Sequence, residues 1–335
     1  MNQLEQLKQY SKIVADTGDV RLIKQYQTID ATTNPKLILD ASENPHYQDI
    51  IAHIRDEAKK NDGSPFPEPI RFIARFITEI GYEILQVIPG RVSSELDPRL
   101  SFNTEGTIER ARYLIQLYEK KGIQKERILI KVAATYEGIE ACRILETEGI
   151  HCNMTLVFSN LQAIACAKAN ATLISPFVGR TNEYYENHNI QLPSQNLSPG
   201  VQLIHDIVHQ FNQQGIKTEV MAASFRDKHQ VLAIAGSPLI TVPPAILNEL
   251  IQSEDPVEMM IKPESNLSEH LSVPKSRYEF MNALKNDKAA YHLLQDGVFK
   301  FTKAFLKLRQ TIFNQSMPRL MLNVLVEKIR QSRYF

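Results

Sequence analysis

The sequence predicts a single (β/α)8 barrel with additional helices toward its C-terminal end. Three observations predict it. Short runs rich in β-branched and apolar residues recur eight times along the 335 residues. Most are separated by segments with apolar residues at helical spacing, and no Pro/Gly-rich linker divides the chain. Alternating strand and helix implies a parallel sheet with helices outside it. Eight repeats in one domain favour a closed barrel over an open sheet.

The strand candidates are 12–16 (KIVAD), 28–34 (TIDATTN), 90–96 (GRVSSEL), 127–134 (RILIKVAA), 150–157 (IHCNMTLV), 171–178 (ATLISPFV), 218–224 (TEVMAAS) and 238–243 (PLITVP). Helices are expected at 70–88, 105–121, 137–148, 159–169, 199–214 and 226–236. In 105–121 the residues Ile108, Ala111, Leu114, Ile115, Leu117 and Tyr118 make one apolar stripe. Further helices near 276–284, 288–314 and 317–332 exceed what a minimal barrel needs. The stretch 61–68 (NDGSPFPE) reads as a short loop. A domain boundary there would leave an N-terminal piece with too few elements for its own core, so 1–335 reads as one domain.

Hydrophobic residues make up 43% and charged residues 23%, and the formal net charge is zero. That is the composition of an ordinary globular protein. With no global field to gather nucleic acid or an anionic membrane, neither is expected as a partner, and any anion must be held by local groups. No apolar stretch is long enough to span a bilayer. The N-terminal MNQLEQLKQY is polar where a secretory signal would be apolar, so a cytoplasmic location is expected. The cysteines Cys142, Cys152 and Cys166 are odd in number, and their spacing fits neither a disulfide framework nor a zinc knot. They read as free buried thiols.

Active sites of such barrels lie at the C-terminal ends of the strands. Asp16, Asn34, Glu95, Lys131, Asn153 with Thr155, Ser175 and Ser224 sit at or near those ends. Lys131 is the most informative. Side chains alternate along a strand, so Leu129, Lys131 and Ala133 share the face toward the barrel interior, and Ile128, Ile130 and Val132 face the helices. Desolvating an ammonium favours the neutral amine, a nucleophile toward carbonyls. Imine chemistry also needs groups that move protons, and Asp16 and Glu95 can divide that work if their environments separate their pKa values. An ion-pair network built around Lys131 for structure alone would use the same residue types. Arg180 and Arg226 directly follow strands six and seven, in SPFVGR and AASFR, where a guanidinium can clamp a phosphate, with Ser224 nearby.

His205-Asp206-Ile207-Val208-His209 resembles the H-E-x-x-H zinc pattern. Its acid is Asp rather than Glu, no third ligand follows, and it falls on an outer helix, so no metal is expected. There is no phosphate-binding G-x-x-x-x-G-K-[ST] loop and no G-x-G-x-x-G fingerprint, and no cofactor is expected.

Taken together, these segments resemble the transaldolase family. DATTNPKL at 30–37 and ILIKVAATYEGIEACRIL at 128–145 are similar to its two signatures. VADTGD at 14–19, PGRVSSELDPRLS at 89–101, CNMTLVFS at 152–159, ISPFVGR at 174–180 and AASFR at 222–226 follow in the family's order. The pattern is that of the longer, dimeric branch. The resemblance implies a circularly permuted barrel, no metal, a homodimer, and transfer of a dihydroxyacetone unit between sugar phosphates in the pentose phosphate pathway. By resemblance, Lys131 forms the Schiff base and Asp16 takes the hydroxyl proton. Glu95 and Thr155 activate water. Asn34, Asn153 and Ser175 bind the dihydroxyacetone part; Arg180, Ser224 and Arg226 hold phosphate; Phe177 lines the pocket. Two other readings share these residues: a Schiff-base aldolase that releases dihydroxyacetone, and a silent barrel used as a binding scaffold. Lys36 stands where the family usually has a small residue, Ala134 where it often has Ser, and Ala222 where it often has Gly. The stretch 314–335 runs past the usual end. Its stripe of Met317, Leu320, Met321, Val324, Leu325 and Ile329 suits packing on the barrel or contact with a second subunit.

Overall fold

The computed structural model describes residues 1–60, 62–190, 197–262 and 274–313. Eight parallel strands close into a barrel in chain order. They are β1 (Lys12–Asp16), β2 (Asp30–Thr32), β3 (Val92–Glu95), β4 (Ile128–Ala133), β5 (Cys152–Val157), β6 (Leu173–Pro176), β7 (Glu219–Ala222) and β8 (Leu239–Val242). All eight fall inside the segments expected from sequence. The circular permutation implied by resemblance leaves this strand order unchanged, because rotating the start point keeps neighbours adjacent.

The barrel interior is layered. Val14, Leu129, Leu173, Met221 and Leu239 form an apolar plug of their own, separate from the main core between strands and helices. Burying each such side chain contributes about 1.5–3 kcal/mol. Leu129 lies in the plug while Ile128, Ile130 and Val132 lie in the outer core, as strand alternation requires. Above the plug, toward the C-terminal ends, the interior turns polar.

The helices Glu68–Leu85, Thr104–Lys120, Tyr136–Thr147, Asn160–Lys168 and Pro199–Gln213 match the apolar periodicities. In Glu68–Leu85 the buried residues Phe72, Phe76, Ile80 and Ile84 recur every four positions and face the strands. The stretch expected at 226–236 is helical only over Lys228–Leu232, because Asp227 caps its start and keeps Arg226 outside. The periodicities did not single out Gln3–Leu7, Val20–Tyr26, Pro35–Glu43, Gln48–Lys59, Val178–Asn187 and Pro244–Ile251, which are also helical. Several strand-to-helix turns end in a capping side chain. Asp19, Asn34, Asn103, Thr135, Ser159 and Asp227 each accept from an N–H of the next turn. Capping starts each helix sharply, so the residues just before it stay at the rim of the barrel.

After β8, the helices Arg277–Asn286 and Lys288–Phe313 return over the C-terminal mouth. The longer one approaches β5 through Gly297, where a Cβ would lie 2.7 Å from Leu156 Cδ2. That close approach sets Phe301, one turn later, above the barrel axis. The helix expected at 317–332 lies outside the described residues. Among the described residues no helix is long and apolar enough to cross a membrane.

Candidate active site

Strand register turns a list of separate sequence positions into a ring. Asp16 lies opposite Thr32, Glu95 opposite Lys131, Lys131 opposite Asn153, and Thr155 opposite Ser175. The cleft above them has a volume of about 340 Å³. Of the residues expected at the site, Asp16, Asn34, Lys131, Ser175, Phe177, Arg180, Ser224 and Arg226 line it.

Lys131 is 6% exposed, on a strand whose other side chains are buried. Its Nζ lies 3.1 Å from Glu95 Oε2 and donates to the carbonyl of Thr33 at 3.0 Å. Phe301 lies across from it, ring centroid 6.0 Å from Nζ. The amine thus gives one hydrogen bond to the Thr33 carbonyl and has Glu95 as its ion-pair partner, and the cleft lies beyond.

Both nearby carboxyls titrate above their ordinary range. Burial pushes Glu95 up to about 7, against the pull of Lys131 and Arg180, and Asp16 adds a small push. Burial also raises Asp16, while Lys131, the Thr32 hydroxyl and Arg180 oppose it. Both shifts run the same way, because one dry barrel interior surrounds both groups.

Asn34 is not a strand-end residue; it caps the helix Pro35–Glu43. Its Oδ1 accepts from Lys36 and Leu37 N–H at 3.0 and 3.1 Å, which leaves its amide NH2 for the cleft. Asn153 is fully buried. Its Oδ1 accepts from Ser175 Oγ at 2.6 Å and its Nδ2 donates to Ser93 Oγ at 3.0 Å, so it does not line the cleft. Thr155 is also fully buried, and its hydroxyl has no hydrogen-bond partner among the described residues. It precedes Leu156, held at φ 58°, where β5 slips register against β6.

The two arginines differ. Arg180 is pressed between Phe177 and Phe301, 5.2 Å from each ring centroid, and its Nη1 is buried without a hydrogen-bond partner among the described residues. Burial lowers its pKa from the usual range. Arg226 is exposed and gives its Nε and Nη2 to Glu183, at 2.5 and 2.9 Å. That contact holds the Glu183 carboxyl below its ordinary range. Arg226 Nη1 faces Ser224 Oγ at 3.5 Å. Ser224 adopts a left-handed φ of 65°, and its carbonyl packs on Gly179, where a Cβ would lie 2.5 Å away. This contact draws the ends of β6 and β7 together, so that both arginines reach one corner of the cleft. Lys36 pairs with Asp40 one turn along its own helix and also lines the mouth.

Thr32, Thr241, Met221 and Phe301 are among the further residues that line the cleft and were not singled out from sequence. Thr32 stood inside the DATTN motif, so a signal existed. Phe301 carried none beyond an apolar stripe. Away from the cleft, Cys142, Cys152 and Cys166 are free and buried. Cys142, Glu146 and Cys152 place their ligand atoms within 4.8 Å of one another. The Glu146 carboxylate already accepts from the N–H groups of Cys152 and Thr172 and from the Thr172 hydroxyl. His205 bonds the Ala233 carbonyl on the outer surface of the barrel.

The family described as Transaldolase/Fructose-6-phosphate aldolase matches residues 13–312. This chain belongs to that family. It is 44% identical to a protein named Transaldolase from Protochlamydia amoebophila (strain UWE25), over 93% of this chain and 97% of that one. It is likewise 44% identical to one from Schizosaccharomyces pombe (strain 972 / ATCC 24843), over 90% and 95%. With one from Nostoc sp. (strain PCC 7120 / SAG 25.82 / UTEX 2576) it shares 43% identity over 95% and 97%. Transaldolase relatives at this level over nearly the whole length make the chain an enzyme, a transferase of the transaldolase kind. The scaffold reading falls with them.

Proposed function

We propose that the chain transfers a dihydroxyacetone unit from sedoheptulose 7-phosphate to glyceraldehyde 3-phosphate, giving erythrose 4-phosphate and fructose 6-phosphate. The observation that carries the reading is Lys131. It is a buried amine at 3.1 Å from Glu95, at the base of a cleft whose rim holds Arg180 and Arg226.

Lys131 Nζ adds to the ketose carbonyl. Glu95, poised near neutrality, gives a proton to the departing carbinolamine hydroxyl and later takes one from the water that hydrolyses the imine. Thr155, with an unused hydroxyl, helps hold that water. Asp16 takes the proton of the hydroxyl beside the breaking carbon–carbon bond, and the aldose leaves. The electron pair stays on the bound three-carbon unit, delocalised into the imine. Phe301 and Phe177 keep water from protonating it. An acceptor aldehyde then takes up that carbon and recovers the proton from Asp16. Asn34 and Ser175 hold the hydroxyls of the three-carbon unit, Asn153 orients Ser175, and Arg180, Ser224 and Arg226 hold phosphate. The lysine supplies the electrophilic activation, and the reading includes no metal. It further includes one domain over 1–335, a homodimer, and a cytoplasmic role in the pentose phosphate pathway.

Borohydride trapping with fructose 6-phosphate, followed by peptide mass mapping, tests it. A reduced three-carbon adduct on Lys131, absent from Lys131→Ala, is expected. Products that form only when erythrose 4-phosphate is added identify a transferase. Free dihydroxyacetone without an acceptor would make it an aldolase.

A further inference from the structure

The floor of the cleft holds a contact that the proposed roles leave unused. Thr32 Oγ1 lies 3.1 Å from Asp16 Oδ1 and 2.9 Å from Thr241 Oγ1. Both threonines are nearly sealed, 2% and 3% exposed. Valine has the same shape and the same preference for strands, so neither hydroxyl is needed to build β2 or β8. Burying a hydroxyl costs free energy unless it is bonded. These two are buried at the one point where they form a line ending on Asp16.

A hydroxyl has one proton to give, and an ionised carboxylate can only accept. Thr32 therefore donates to Asp16, and the 2.9 Å contact is filled by the proton of Thr241. We propose that Thr32 and Thr241 are positioning residues for Asp16: the chain Thr241 to Thr32 to Asp16 holds the carboxylate ionised and aimed at the cleft until it takes the substrate proton. Once Asp16 is protonated its bond with Thr32 reverses, while Thr241 goes on donating to Thr32. The acid proton points to Thr32 Oγ1, and Thr32 turns its own proton toward the Ala15 carbonyl, 3.5 Å away. Only hydrogen bonds rotate; no proton leaves the site. The charged groups that face Asp16 are Lys131 on β4, Glu95 on β3 and Arg180 from the helix Val178–Asn187, with Lys36 and Arg226 at the rim. They are unchanged by alterations at Thr32 or Thr241, so an effect of those alterations is the effect of the hydroxyls.

The inference rests on the reading of Asp16 as the proton acceptor. The test is the pH dependence of kcat/KM for fructose 6-phosphate with erythrose 4-phosphate as acceptor, which reports the free enzyme. Thr32→Val removes a donor to the carboxylate. Its acid limb is expected to move up by about one pH unit, the order of one hydrogen bond to a charged group. Thr32→Ser restores the wild-type limb, and Thr241→Val moves it the same way by less. A purely structural role would lower the melting temperature and leave the limb in place. If Thr32→Val does not fold, the shift in Thr241→Val decides. Inactive Asp16→Asn together with unmoved limbs in both valine variants overturns the inference alone. An active Asp16→Asn that retains the acid limb overturns the reading of Asp16, and the inference with it.

Discussion

The two ends of the barrel interior carry similar residues and behave differently. At the N-terminal end Arg91 bridges Asp30 at 3.1 Å and Glu219 at 2.7 Å, with Lys12 3.9 Å from Glu219. At the C-terminal end Lys131 meets Glu95, and Asp16 stands nearby. Arg91 binds both its carboxylates through a guanidinium fork, and these hydrogen bonds outweigh burial and hold it above the usual range. At the other end Lys131 and Arg180 act on two more deeply buried carboxyls without forking onto either, so burial prevails and both rise. The apolar plug between them keeps the two sets apart. The same charges are thus spent on stability where they are matched and kept reactive where they are not.

The sharpest break of this comparison is Lys131→Ala. Turnover is expected to fall by at least about 10⁴-fold, because nucleophile and imine are lost together. The melting temperature should stay within a few degrees of wild type, as measured by calorimetry. Arg91→Met should do the opposite. It strands Asp30 and Glu219, and the loss in stability by denaturant unfolding is expected at about 2–4 kcal/mol, somewhat discounted for partial exposure. Turnover of the folded fraction should be unchanged; a large drop would mean that the plug does not insulate the ends.

A gentler break uses pH. In the fold burial pushes Glu95 up to about 7, whereas its ordinary value is 4.5. Its stabilising contribution is therefore full below about 4.5 and is lost as pH rises through about 7. Lys131→Met with Glu95→Gln removes this charge pair. Wild type should lose about 1–3 kcal/mol between pH 5 and pH 8 relative to the double variant, by chemical denaturation. An identical slope in both would deny Glu95 its shifted titration. Smaller still, Arg226→Ala should raise KM for fructose 6-phosphate by about tenfold, the scale of a charge-assisted hydrogen bond at an exposed site, with KM for unphosphorylated fructose unmoved. Finally, treatment with a chelator should leave turnover unaltered, since an amine activates the carbonyl.

Much of this site was legible beforehand because barrels put chemistry at strand ends and strands alternate. The position of Lys131 within ILIKVAA was enough to aim it inward. Asn34, Ser224 and Arg226 were placed near the mouth, but not their local settings. A cap at Asn34, a left-handed turn at Ser224 and a partner such as Glu183 depend on backbone direction over a few residues, which composition does not encode. The helices Val20–Tyr26 and Pro35–Glu43 escaped notice because, at 7 and 9 residues, they are too short for an apolar stripe to recur along the sequence.

By itself the sequence determined the number and order of strands, the face each presents, and the inward aim of Lys131, the proposed nucleophile. Those follow from local periodicity, which is set by geometry within a few residues. The tertiary structure alone decided that Phe301 closes the cleft, that Thr241 reaches Thr32 across 209 residues of sequence, and that both carboxyls are pushed upward together. Closure of the barrel brings β1, β2 and β8 side by side, and the environment that shifts a carboxyl is made by residues distant in sequence and adjacent only once the ring is complete.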